Sequence, residues 1–202
     1  MKLYYSPGAC SLAPHIILHE AQLPFSLEKV DLATHKTSRG EDYYSINSRG
    51  SVPLLELDNG ERLSEGPIVA QYIADQAKSV AVIPAPGTIG RYRVMEWQNY
   101  VTSELHKSFT PLFNPDVNNA AKVTLAAVLR KKYEWLNTQL RGKEYLTGNT
   151  FSVADAYLFT VTNWAKHVGL ELGDLVDLQT YLKRVAARPA VRAAMKTEGL
   201  LV

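Results

Sequence analysis

At 202 residues the chain has room for one domain or two, and 46% hydrophobic with 21% charged residues is ordinary for a globular protein. A formal charge of +2 with no run of like charges excludes the basic surface that nucleic acid requires, and the apolar stretches are too short to span a membrane. A single cysteine excludes an intrachain disulfide and suits a reducing cytosol, and five scattered histidines offer no metal cluster.

Met1-Lys2 leads directly into a strand, with no signal region, so a cytoplasmic location is expected. Lys2–Tyr5 reads as that strand and Ser6-Pro7-Gly8 breaks it. A helix follows, because Leu12, Ile16, Ile17 and Ala21 recur at helical spacing. Pro14 is tolerated only in a first turn, which fixes the helix start near residues 10–12. Phe25, Leu27 and Val30 mark a second strand, and Asp42–Ile46 one helical turn. Asn59-Gly60 between two short apolar runs is a hairpin signal. Ser64-Glu65-Gly66-Pro67 then opens a helix with Ile68, Val69, Tyr72 and Ile73 on one face. Strand, helix, strand, helical turn, hairpin, helix make a small sheet with helices on both faces.

Pro84 and Ala85-Pro86-Gly87 interrupt the pattern within Gln76–Arg91, and beyond them the helical period dominates. Tyr92–Lys107, Ala120–Leu140, Ser152–Val168, Leu178–Ala187 and Ala190–Lys196 are expected as helices. The expected organisation is a first domain over 1–80, a linker over 81–87 and an all-helical domain over 88–202. Ser152 and Asp155 have capping-box spacing, and the helix they open is read as purely structural, Tyr157 and Trp164 included on its apolar face.

Cys10 is placed at the positive end of the first helix, beside backbone N–H groups without intrahelical partners. That position favours a thiolate and predicts a lowered pKa. A lone cysteine is also commonly a small buried hydrophobe, and both readings stand at this point. Dithiol exchange is disfavoured, because the position three residues on is Ala13 and no second thiol resolves a mixed disulfide.

The order of elements, with a cysteine opening the first helix, resembles the thioredoxin-like fold. The segments Lys2–Tyr5, Pro7–Ala13 with His15, Asp42-Tyr43, Val52–Leu55 and Leu63–Ile68 resemble bacterial beta-class glutathione transferases. So do Glu96-Trp97, Ser103–Phe109, Pro111–Phe113 and Ser152–Phe159. The resemblance implies an α/β thioredoxin-like N-terminal domain followed by an all-α C-terminal domain.

It implies that Cys10 touches the glutathione sulfur, that Val52, before a cis Pro53, pairs with the cysteinyl backbone, and that Glu65 and Gly66 hold the γ-glutamyl end. An acidic side chain beside free N–H groups complements an ammonium and a carboxylate. His35 stands where the family more often has lysine against the glycyl carboxylate, and a mostly neutral imidazole weakens that contact. His106 is implied at the sulfur with Lys107 nearby, where donors favour the thiolate of glutathione. Asn99, Ser103 and Glu104 are implied as further ligand contacts, some across a homodimer interface. With an α-helical step Glu104 lies roughly 140° from Asn99, which also points to a shared site. Phe109, Phe113 and Trp164 are candidates for a hydrophobic co-substrate pocket or for core.

The function implied is conjugation of reduced glutathione to hydrophobic electrophiles, as in xenobiotic detoxification, with thiol exchange or peroxide reduction through Cys10 beside it. The competing reading is a non-enzymatic glutathione-binding stress protein. Neither a metal nor a nucleic-acid or membrane partner is expected.

Overall fold

The computed structural model describes residues 1–77 and 82–201, so the expected boundary at 80/81 lies outside the described residues. Contacts divide the chain into one unit of residues 1–83 with 188–202 and a second of residues 84–187. The last fifteen residues therefore group with the first unit, where the sequence had assigned them to the helical domain. The cause is a helix packed on a helix, described below.

In the first unit, β1 (Lys2–Tyr5), α1 (Leu12–Glu20), β2 (Ser26–Asp31), β3 (Lys36–Thr37), β4 (Leu54–Glu56), β5 (Arg62–Ser64) and α2 (Gly66–Gln76) follow in order. The sheet runs β3-β2-β1-β4-β5, with β1 parallel to β2 and the other pairs antiparallel. A parallel pair needs a crossover, which α1 supplies. Gly60, at φ 85°, closes the expected hairpin between β4 and β5. Successive strand residues serve opposite faces. Leu3 opposes Leu55, both wholly buried, while Tyr4 opposes Leu54 and joins Val30, Tyr43 and Val52 in a separate cluster. Edge strand β3 was not anticipated, since two residues carry no periodic signal.

Within this unit α1 packs against α2 and against α8 (Pro189–Thr197). Arg188 grips Glu20 through Nε and Nη2 at 2.6 and 2.9 Å. Just past α8, Glu198 pairs with His15 Nδ1 at 2.8 Å, both side chains wholly buried. Its other oxygen accepts from the Gly8 N–H at 2.8 Å. The chain's C-terminal segment is thereby fastened to the loop that carries Cys10.

The second unit holds α3 (Ile89–Tyr100), a π-helical turn (Val101–His106), α4 (Lys107–Phe113), α5 (Asn119–Leu140), α6 (Val153–Thr162) and α7 (Val176–Ala186). Thr88 and Asn118 cap α3 and α5 by accepting from Arg91 N and Ala121 N, at 3.2 and 2.9 Å. Every residue of α6 is buried, and its cap is centred on Asp155. Asp155 Oδ2 accepts from the Ser152 N–H and hydroxyl at 2.8 and 2.9 Å, and Oδ1 accepts from Leu146 N and Tyr181 OH at 2.9 and 3.0 Å. The expected helix over 152–168 stops at Thr162, and Ala165–Val168 form a separate 3₁₀ turn ended by Gly169 at φ 65°. The helix expected through 92–107 changes hydrogen-bond pattern at Val101.

Candidate functional site

Cys10 lies one residue before Ser11, the residue that precedes α1. Ser11 does not cap the helix. Its hydroxyl accepts from Ser6 N at 3.2 Å and donates to Ser6 O at 3.3 Å, closing the loop around Cys10. The thiol donates to the Val52 carbonyl at 3.2 Å. Burial pushes this thiol up to about 11, the charge of Glu65 adds to the effect, and the Cys10 and Ser11 N–H groups pull only partly back. The expected lowering at the helix start is thus corrected. Desolvation outweighs the dipole, and the group in this structure is a thiol.

The Val52-Pro53 bond is cis, as the resemblance implied. Gly66 lies against this proline, where an added Cβ would meet the ring at 3.7 Å. Glu65, at φ 70°, immediately precedes α2 and presents an exposed carboxylate. Arg49, which the sequence reading did not single out, pairs with that carboxylate at 2.6 Å and also donates to Ser64 Oγ. Both members of the pair are more than half exposed, so it exchanges easily. Cys10, Val52, Pro53, Glu65 and Gly66 therefore form one connected group in the first unit.

His35 stands apart in character. Its ring packs at a tilt on Tyr44, with centroids 4.4 Å apart, and its Nδ1 is buried without a partner. Gly50, at φ 64°, completes the packing, because a Cβ there would sit 2.6 Å from Tyr44 and 2.9 Å from His35 Nδ1.

In the second unit, Asn99 lies in the last turn of α3 as an exposed side chain, and its carbonyl accepts from Ser103 Oγ at 3.1 Å. Ser103 also meets Glu104 Oε1 at 3.3 Å. The π turn over Val101–His106 closes bonds five residues back, as Lys107 N does on Thr102 O. More residues share such a turn than in an α-helix, so the 140° separation of Asn99 from Glu104 does not hold. The angular reason for a shared site is withdrawn with it.

His106 closes the π turn, and its Nδ1 lies 2.5 Å from Tyr157 OH. The imidazole also meets the Trp164 ring edge-on at 4.8 Å. Tyr157 had been read as structural alone; its hydroxyl instead fixes the ring of the candidate acid–base group. Lys132 pairs with Glu104 at 3.0 Å and holds its carboxyl below the usual range. Lys107 is exposed at the start of α4. Phe109, Phe113 and Trp164 do come together, with centroids 5.7–6.2 Å apart. Phe109 is wholly buried and so backs the other two, while Phe113 is exposed. A cavity of about 580 Å³ in this unit is lined instead by residues including Trp97, Tyr100 and Trp135.

No helix among the described residues is long and apolar enough to cross a membrane. The N-terminal domain model of glutathione S-transferases matches residues 8–76, and the C-terminal domain model matches residues 100–189. Glutathione S-transferase GstA of Escherichia coli O157:H7 is 44% identical over 99% of this chain and 100% of its own length. A solved ternary complex of BphK, a bacterial glutathione transferase, superposes with a TM-score of 0.96 at 48% identity, covering 99% of this chain and 100% of that one. A beta-class enzyme of Sphingomonas chungbukensis gives 0.96 at 45% identity over the whole of both chains. A sphingomonad enzyme solved with glutathione gives 0.95 at 45%, again over both whole chains.

Proposed function

This chain belongs to the glutathione S-transferase family, and from that premise we propose that it joins the thiol of reduced glutathione to hydrophobic electrophiles. The observation that carries the reading is the Cys10 thiol at 3.2 Å from the Val52 carbonyl, in the same group as Pro53, Gly66 and Glu65. A peptide edge, a sulfur and a carboxylate at a helix start match the cysteinyl backbone, the thiol and the γ-glutamyl ammonium of one tripeptide. The γ-glutamyl carboxylate takes the backbone N–H of Gly66. His35 has only Nε2 left for the glycyl carboxylate, a weak contact.

The glutathione thiol must lose its proton to solvent before it attacks. Cys10, itself a thiol, does not remove it. His106, oriented by Tyr157, and Lys107 favour the thiolate by donating to it. The thiolate forms a carbon–sulfur bond to the electrophile, and the leaving group departs with its electron pair. Phe113 and Trp164 contact the apolar co-substrate, with Phe109 behind them. Asn99, Ser103 and Glu104 add polar contacts, and a cytoplasmic two-fold homodimer is the assembly in which they serve. Thiol–disulfide exchange is a side reaction: the Cys10 thiolate attacks oxidised glutathione, its S–S bond breaks, one reduced glutathione leaves and a Cys10–glutathione mixed disulfide remains.

Calorimetry with reduced glutathione tests the binding half. Glu65→Gln is expected to raise the dissociation constant tenfold or more, from about 1.5–3 kcal/mol for a charge-assisted hydrogen bond. Unchanged affinity removes Glu65 from the site. Turnover of an activated aryl halide separates an enzyme from a protein that only binds glutathione.

A further inference from the structure

A π-helical turn is rare and needs something to hold it open. Interruptions of a helical ladder commonly occur where a side chain inserts into the line of carbonyl acceptors. Here the side chain comes from the middle of α5. Lys132 Nζ donates to the Glu104 carbonyl and to Ser108 Oγ, each at 3.0 Å, and pairs with Glu104 Oε2 at 3.0 Å. An ammonium has three donors and no acceptor, and all three are used on residues that lie two before and two after His106. Ser108 Oγ donates to the same Glu104 carbonyl at 2.7 Å. Tyr100, just before the π turn, donates its hydroxyl to the Lys132 carbonyl at 3.3 Å. One residue of α5 therefore grips the turn from both sides.

We propose that Lys132 is a positioning residue, whose ammonium, seated on Glu104 and Ser108, fixes the π turn and so the direction in which His106 presents its imidazole. Its importance for turnover rests on the reading of His106 given above. An ordinary surface ion pair joins two charges and contributes little. Lys132 differs because its side chain is only 25% exposed and two of its three bonds go to a main-chain carbonyl and a hydroxyl. Without the ammonium, the Glu104 carbonyl returns to α-helical partners. Re-phasing the segment by one residue turns His106 by about 100°, which takes it away from Tyr157.

Lys132→Met keeps an apolar stem and removes the three donors. In the ligand-free protein, the imidazole resonances of His106 are expected to move as the bond to Tyr157 is lost, in a variant that still unfolds cooperatively. In conjugation assays, kcat/KM is expected to fall at least tenfold, and adding His106→Asn to Lys132→Met is expected to cost nothing beyond His106→Asn alone. Unmoved imidazole resonances overturn the proposal whatever the kinetics, and so does a full multiplicative loss in the double variant. A wild-type rate in His106→Asn overturns the catalytic reading of His106 and leaves the resonances to decide the role of Lys132. If Lys132→Met does not fold, Ser108→Ala removes one partner of the ammonium and is expected to shift the same resonances less. Resonances unmoved in Ser108→Ala overturn the proposal too.

Discussion

The surroundings of Cys10 and of His106 are built in opposite ways. Cys10 is enclosed by main chain: its own loop, the Ser6–Ser11 clamp and the Val52 carbonyl. His106 is set by side chains far off in sequence, Tyr157 being 51 residues away, with Lys132 28 residues from Glu104. The enclosed group stays protonated. Raising a thiol from 9.0 to about 11 disfavours the thiolate by roughly 2.7 kcal/mol, against about 0.3–1 kcal/mol for a helix dipole at its end. A helix N-terminus therefore does not make a reactive cysteine when desolvation outweighs it by this much. On the function proposed above, the imidazole is the group that activates a bound thiol.

Wetting the Cys10 loop is the strongest way to break this contrast. Glu198→Ala removes the buried hydrogen-bond partner of His15 and one acceptor of the Gly8 N–H, and is expected to cost about 1–3 kcal/mol in denaturant unfolding. The same variant is expected to bring the Cys10 pKa down toward its ordinary value. A wild-type midpoint would show that the C-terminal segment does not hold the loop.

Alkylation of the wild-type protein by iodoacetamide, without glutathione, sharpens the contrast next. The thiol is neutral below about 11, so the rate is expected to rise about tenfold per pH unit from pH 7 to 10 and level off only above that value. Near pH 7 the thiolate is about a hundredfold scarcer than at an ordinary cysteine, because the pKa lies about two units higher. A plateau reached by pH 8 would mean that the dipole prevails after all.

Tyr157→Phe probes the other side. Loss of the hydroxyl at 2.5 Å from His106 is expected to lower kcat about tenfold, less than loss of an acid–base group itself because the imidazole remains, with little change in glutathione affinity. A roughly tenfold rise in KM with kcat unchanged would assign Tyr157 to binding.

The smallest effect is expected at the α6 cap. Ser152→Ala removes one of four donors to Asp155 and is expected to cost about 0.5–2 kcal/mol, with glutathione affinity unchanged. Matching denaturant midpoints would dismiss the cap.

What could be read from the chain follows the same division. The group around Cys10 was legible because turns, prolines and helix starts are local: Pro14 placed α1, Asn59-Gly60 the hairpin, and Glu65-Gly66-Pro67 the start of α2. The Ser152–Asp155 cap was legible for the same reason. The contacts that orient His106 were not, since Tyr157 shares the apolar spacing of a buried helix and Lys132 is one of several cations on α5. The π turn left no trace either, because Val101–His106 fits an α-helical period as well as any other. Nor did burial of the Cys10 sulfur, which depends on Val52 arriving from 42 residues away. Assignment of α8 to the first unit likewise required the pairing of Glu198 with His15, 183 residues apart.

The ultraviolet absorbance of the glutathione thiolate, titrated with pH in complexes of wild type, Cys10→Ala and His106→Asn, tests the central claim most directly. The account predicts a thiol pKa lowered in wild type and still lowered in Cys10→Ala, with conjugation largely retained, and a return toward the free value near 9 in His106→Asn. A lowering that vanishes in Cys10→Ala and persists in His106→Asn would contradict it.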